Sequence, residues 1–286
     1  MKNKDIKFAF FGTPDVASET LEILKQNDYI PSLIITSLDR PKGRKMIITP
    51  PPVKIWAIKN NIPYIQPEKI DPQVDPQVRL VAGHKSDLWP EEDFDLFIVV
   101  AYGKILPEKL INLPKLGSLN IHYSLLPKYR GASPVESAIL NGDIETGITI
   151  QKMEFKMDSG PIVAQEKIFI HSNEKTPDLR KRLIKIGGEL LVKTLPIYME
   201  NKIKLIPQNE TEATYCKKIK KEDGLIDLND SPIKNYNKFR AYAIWPRTYF
   251  FKNGKRIIIT DAILENGKFK IIKVIPENGK ETSYIK

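Results

Sequence analysis

In Asn120-Ile121-His122, two polar residues stand two apart at the end of a short β-like run, 118–121. Side chains alternate faces along a strand, so Asn120 and His122 face the same side. An amide N–H can donate to an oxyanion as it develops, and an imidazole can stabilise that charge or carry a proton. The pair therefore suits acyl transfer. Next comes Ser124-Leu125-Leu126-Pro127-Lys128-Tyr129-Arg130-Gly131, a turn-like segment between strand and helix. Asp158-Ser159-Gly160 lies between two further β-like runs, 147–155 and 161–168, and supplies a carboxylate in a glycine-bounded turn. Each feature taken alone has a plainer reading. An Asn-x-His pair can be purely structural, and an Asp in such a tripeptide forms turns through its own side chain.

The elements that must position these residues follow from periodicity. Residues 7–11 read as a strand, Gly12-Thr13-Pro14 as a turn, and 15–26 as a helix with Val16, Leu21, Ile23 and Leu24 at helical spacing. Strands at 31–36, 63–65, 96–100 and 118–121 interleave with a helix at 53–60. That alternation predicts an α/β fold with a Rossmann-like, doubly wound, mostly parallel sheet. In such a sheet ligands bind in the crevice beyond the carboxyl ends of the strands. A long amphipathic helix spans 177–199, opened by Thr176-Pro177. Prolines and Trp89-Pro90-Glu91-Glu92-Asp93 break any period over 71–94, which reads as irregular. After residue 201 the texture changes. Runs at 204–207, 247–251, 255–263 and 268–275 are β-like, Asn253-Gly254 and Asn266-Gly267 signal turns, and 231–240 is helical. The expected division is a catalytic domain over 1–203 and a small, mainly β domain over 204–286.

Composition narrows the class. A chain of 286 residues, 41% hydrophobic and 28% charged, can bury a core without disulfides or metals. Cys216 is the single cysteine, which rules out an intramolecular bridge and a cysteine-based metal cluster and fits a reducing compartment. The apolar run at 6–11 is far too short for a signal or membrane segment, so a cytoplasmic protein with no membrane association is expected. Of the formal +10 net charge, +8 falls in residues 201–286. A basic segment of that kind is a polyanion-binding surface in waiting, although lysine-rich composition alone also produces one. Arg40, Lys42, Arg44 and Lys45 crowd a loop between a strand and a helix. Such a loop can meet phosphates without reading sequence, and arginine can stack on unpaired bases.

The run Asn120 to Gly131, then Gly142-Asp143-Ile144-Glu145-Thr146-Gly147, then Asp158-Ser159-Gly160, resembles the signature of the 10-formyltetrahydrofolate-dependent formyltransferases. Within that family the chain looks like the members that act on methionyl-tRNA. Phe10-Phe11-Gly12-Thr13-Pro14 is similar to their opening motif, and Val100-Ala101-Tyr102-Gly103-Lys104-Ile105-Leu106-Pro107 to their loop beside the folate. The Arg40-Pro41-Lys42-Gly43-Arg44 loop with Pro50-Pro51-Pro52-Val53-Lys54 is similar to their tRNA-contacting basic loop. Tyr215-Cys216-Lys217-Lys218-Ile219, Glu222 to Asp227 and Trp245-Pro246 are similar to motifs of their second domain, an OB-like barrel suited to nucleic acid.

The resemblance implies that Asn120, His122 and Asp158 form the catalytic trio. It implies a folate site lined by Tyr102, Gly103, Ser124, Leu125, Leu126 and Pro127, and tRNA contacts from Arg40, Lys42, Arg44 and Lys45. The co-substrate implied is 10-formyltetrahydrofolate, the acceptor initiator methionyl-tRNA, and no metal is needed because the formyl donor is already activated. Members of the family are usually monomeric. A formyltransferase for a small amine, such as a nucleotide-linked amino sugar, shares the trio, but the basic loop and basic second domain count against it. A nucleotide-dependent oxidoreductase would need the glycine triplet that Phe11-Gly12-Thr13-Pro14-Asp15 lacks. A non-enzymatic RNA-binding module leaves the trio as coincidence.

Overall fold

The computed structural model describes residues 6–43, 45–68, 70 and 93–284. Arg44 and the segment 71–92, the bulk of the stretch that reads as irregular, lie outside the described residues. The strands are β1 (Phe8–Gly12), β2 (Leu33–Ile35), β3 (Arg40–Lys42), β4 (Ile47–Thr49), β5 (Tyr64–Ile65), β6 (Leu96–Val100), β7 (Ser118–His122), β8 (Arg130–Gly131), β9 (Glu145–Lys152) and β10 (Ile162–Phe169). Seven of them form one sheet in the order β10-β9-β7-β6-β1-β2-β5. The pairs of β1 with β2 and β6, β2 with β5, and β6 with β7 are parallel, whereas β7 and β9 are antiparallel. The expected doubly wound, mostly parallel α/β sheet is therefore present.

The central strands explain their own position. β1 and β6 are unbroken apolar runs whose residues are all buried, as strands covered on both faces must be. Helices α1 (Asp15–Gln26) and α2 (Pro52–Lys59) pack together beside the sheet, and the short α3 (Glu108–Ile111) follows β6. A Cβ on Gly12 would stand 2.6 Å from the Ala17 Cβ, so only glycine lets the first turn of α1 close onto β1. The long helix α5 (Thr176–Met199) comes equally near α1, since a Cβ on Gly188 would meet the Ile23 side chain at 2.7 Å.

The chain divides into two compact units. The first comprises Met1–His122, Ile148–Glu166 and Ile184–Asn209, and the second Tyr123–Gly147, Lys167–Leu183 and Glu210–Lys286. In the second unit α4 (Pro134–Leu140) packs on α6 (Pro232–Ala241), and β8 pairs in parallel with β11 (Tyr215–Cys216). Strands β12 (Tyr249–Lys252), β13 (Lys255–Glu265), β14 (Lys268–Pro276) and β15 (Thr282–Ser283) make an antiparallel sheet in that order, with α6 against β13 and β14. Its core is Ile226, Tyr236, Phe239, Phe250, Ile259 and Ala262. The turns Asn253-Gly254 and Asn266-Gly267 carry the paired positive φ values that two-residue hairpins require.

Three local expectations need correction. The run 204–207 is not a strand: Ile206 makes an isolated bridge to Ile162, and Pro207, which has no N–H, follows at once. The basic stretch is not a plain loop: Arg40 and Lys42 stand in the first arm of a β3–β4 hairpin, with Arg40 opposite Thr49 and Lys42 opposite Ile47. The turn-like stretch ending at Gly131 finishes as strand β8.

Candidate active site

Strand β7 ends on His122, and Asn120 precedes it on the same face. Antiparallel β9 brings Gln151 opposite Asn120 and Thr149 opposite His122. Beyond β9 the chain turns back, and the turn lays Asp158 over the two β7 side chains. Asp158 adopts φ 51, a left-handed conformation that aspartate tolerates better than most residues. Gly160 makes the turn possible, because a Cβ there would lie 1.8 Å from the Lys152 carbonyl oxygen.

The three residues of the expected trio thus come together inside the first unit. His122 Nδ1 faces Asp158 Oδ2 at 3.6 Å, and Asn120 Nδ2 reaches Asp158 Oδ1 at 3.4 Å. His122 is 5% exposed, which shields its imidazole from bulk water. Two residues that the sequence did not single out act on the same aspartate. Gln151 Nε2 donates to Oδ1 at 2.9 Å, and Gln208 Nε2 donates to the carbonyls of Asp158 at 2.9 Å and Gly160 at 2.7 Å. Thr149 and Gln151, alternating with apolar residues in β9, were a legible signal for a polar face. Gln208 gave none, since it follows Pro207 in an irregular stretch.

The expected folate residues fall in both units. Tyr102 and Gly103 belong to the first, just past the end of β6. Tyr102 is buried edge-on against Phe11 at 5.5 Å, its hydroxyl meets no partner among the described residues, and burial pushes its phenol up. Its carbonyl accepts from the Thr13 hydroxyl at 3.1 Å, and Thr13 also lies 3.0 Å from the Ser37 hydroxyl. Gly103, at φ 80, occupies a conformation that favours glycine. Ser124, Leu125, Leu126 and Pro127 belong to the second unit. There Ser124 Oγ donates to the Lys128 carbonyl at 2.5 Å, and Leu126 is buried. Arg130, fully buried, pairs with Glu210 at 2.7 Å, and Tyr129 donates its hydroxyl to Asp143. Burial raises the Tyr129 phenol to about 12.

The expected tRNA-contacting residues Arg40, Lys42 and Lys45 are exposed on the β3–β4 hairpin, which also exposes Met46, Ile47 and Ile48. Asp39 anchors the base of that hairpin through Lys54 at 2.8 Å and Gln66 at 2.8 Å. The Gln66 hydrogen bond and the Lys54 ammonium hold the Asp39 carboxyl below its usual range. Lys104 donates to the carbonyls of Pro67 and Glu68, and burial, with the nearby Arg40, lowers its ammonium.

An amide, an imidazole and a carboxylate gathered at the carboxyl end of a parallel strand have the chemistry that acyl transfer calls for, and the chain belongs to the formyl transferase family of enzymes. Residues 6–195 match the profile for formyl transferase, and residues 218–283 that for the formyl transferase C-terminal domain. Among its relatives is a methionyl-tRNA formyltransferase of Staphylococcus epidermidis, 40% identical over 262 residues, covering 92% of this chain and 81% of the relative. One of Staphylococcus aureus is 38% identical over 277 residues, covering 96% and 85%. Solved structures share the fold. A methionyl-tRNA formyltransferase from Clostridium thermocellum, 17% identical, superposes with a TM-score of 0.60 over 95% of this chain and 99% of that one. A 4-N formyltransferase from Francisella tularensis, 23% identical, does so at 0.66 over 89% and 97%. Among the described residues no helix is long and apolar enough to cross a membrane.

Proposed function

We propose that this enzyme moves the formyl group of 10-formyltetrahydrofolate onto the amino group of methionine carried by initiator methionyl-tRNA, in the cytoplasm and as a monomer. The observation that carries the reading is the convergence of Asn120, His122 and Asp158 at the end of β7, in a chain 38–40% identical to methionyl-tRNA formyltransferases over most of its length. The amine nitrogen attacks the formyl carbon, and the C=O π electrons move onto oxygen. Asn120 has one N–H on Asp158 and a second left for that oxyanion, and His122 adds a further donor. Asp158 orients His122, or a water that takes the proton from the attacking amine. The bond from the formyl carbon to N10 then breaks, N10 takes up a proton, and tetrahydrofolate leaves.

Tyr102 and Gly103, with Ser124 to Pro127, line the folate side in this reading, and Arg40, Lys42, Arg44 and Lys45 contact tRNA. Residues 1–203 are the catalytic domain and 204–286 the tRNA-binding domain, whose excess of positive charge supports a polyanionic partner. The test offers labelled 10-formyltetrahydrofolate with charged initiator methionyl-tRNA in one reaction and a nucleotide-linked amino sugar in another. Formylated methionyl-tRNA supports the reading. Formylation of the sugar alone keeps the catalytic site and overturns the acceptor.

A further inference from the structure

Asp158 is held at both ends, and its restraints come from two glutamines. Gln151 fixes the carboxylate by donating to Oδ1 at 2.9 Å. Gln208 fixes the backbone by bridging the carbonyls of Asp158 and Gly160 with one amide nitrogen, 2.9 and 2.7 Å away. Between those carbonyls the chain sits in a left-handed conformation at Asp158 and presses Gly160 onto the Lys152 carbonyl. A turn of that kind persists when its surroundings over-determine it.

The chemistry of Gln151 argues for a role beyond filling space. The residue is 2% exposed, and its Oε1 meets no partner among the described residues. A buried, unpaired amide oxygen is destabilising, and a methionine of similar length would avoid it. What the methionine would lose is the N–H on Asp158. With Asn120 and Gln151 both on Oδ1, the carboxylate presents Oδ2 to His122.

We propose that Gln151 and Gln208 are positioning residues for formyl transfer, which aim Asp158 Oδ2 at His122, one through the side chain and one through the backbone. The proposal rests on the formyl-transfer reading above. Its test measures kcat and KM for both substrates in Gln151→Met, Gln208→Met, Asp158→Asn and the doubles carrying Asp158→Asn. Misorientation of a catalytic group by an ångström or less lowers rate rather than binding, so kcat is expected to fall about ten- to hundredfold with both KM values unchanged. Because both glutamines act through Asp158, neither should lower kcat further once Asp158 is asparagine. Wild-type kcat in the methionine variants, or losses that multiply in the doubles, overturns the proposal. Gln151→Glu keeps the test sharp where a methionine variant does not fold. A carboxylate there has no N–H to donate and repels Asp158, so kcat should fall at least as far as in the methionine variant, again with both KM values unchanged. Wild-type kcat in that variant counts against the role. If wild type formylates only an amino sugar, the same variants read with that amine still decide the positioning role.

Discussion

His122 Nδ1 stands 3.6 Å from Oδ2 of Asp158, just beyond hydrogen-bonding range, although the two residues lie on different segments of the chain and both are largely shielded from water. Catalytic contacts are often long without substrate and tighten when it binds. The rest of the aspartate is already restrained: Oδ1 is shared by two amides and the backbone is held by Gln208. Closing this one contact requires only a small movement of the imidazole or the carboxylate.

If that contact organises proton transfer, His122→Ala and Asp158→Asn should each lower kcat by about 10²- to 10⁴-fold. The double variant should be scarcely worse than the poorer single, because groups acting as a unit are not additive. Steady-state kinetics with circular dichroism checks this. Strict multiplication of the two effects in folded protein would separate the residues functionally.

Gly160→Ala tests the turn rather than the chemistry. The added methyl would overlap the Lys152 carbonyl oxygen at 1.8 Å, so the turn must move and take Asp158 with it. Activity should fall at least as far as in Asp158→Asn, with about 1–3 kcal/mol lost from stability by analogy with overpacked sites. Urea midpoints and kcat, measured together, check both parts.

A period of two put Asn120 and His122 on one face, but that pair and the Gly-bounded turn at Asp158 each had a plainer structural reading, and only the resemblance to the formyltransferase signature joined the three into a trio. The contact among them was not legible. It depends on the antiparallel register of β7 with β9, which places Gln151 opposite Asn120, and nothing in the spacing sets that register. The β3–β4 hairpin was hidden by its composition. Its residues read only as a basic loop, yet Pro41 pairs with Ile48 in a two-stranded ribbon, where proline is tolerated as it would not be in a central strand. Gln208 was invisible because an irregular segment is placed by its partners rather than by its own pattern.

Asp39 gives a pH prediction. Its folded-state carboxyl lies below its ordinary value, first through Gln66 and then through Lys54, so it stabilises the fold above the unfolded pKa of about 3.9. That contribution is lost as pH falls through the lower, folded value. The group is 30% exposed, so screening limits it to about 0.5–1 kcal/mol. Asp39→Asn should therefore be less stable than wild type at pH 7, with the gap closing towards pH 3. Urea melts at pH 7, 5 and 3.5 check it, and a gap that widens on acidification would reverse the assignment.

The hairpin cations give the prediction most specific to tRNA. Arg40, Lys42 and Lys45 are exposed and, apart from the coupling of Arg40 to Lys104, project from a ribbon anchored at its base by Asp39. Cations that meet phosphates release counterions, and each contact to single-stranded nucleic acid contributes about 0.7 to the slope of log affinity against log salt. Replacing all three with alanine should raise KM for methionyl-tRNA, more so at low salt, and flatten that slope by about 2. The KM for the folate should not change, because these residues carry no part of that site in the proposed reading. A variant with wild-type salt dependence would place the tRNA contact elsewhere, with the basic residues of 204–286 the next to test. Loss of folate affinity instead would mean that the hairpin supports the catalytic site, and the anchor at Asp39 would then be the residue through which it does so.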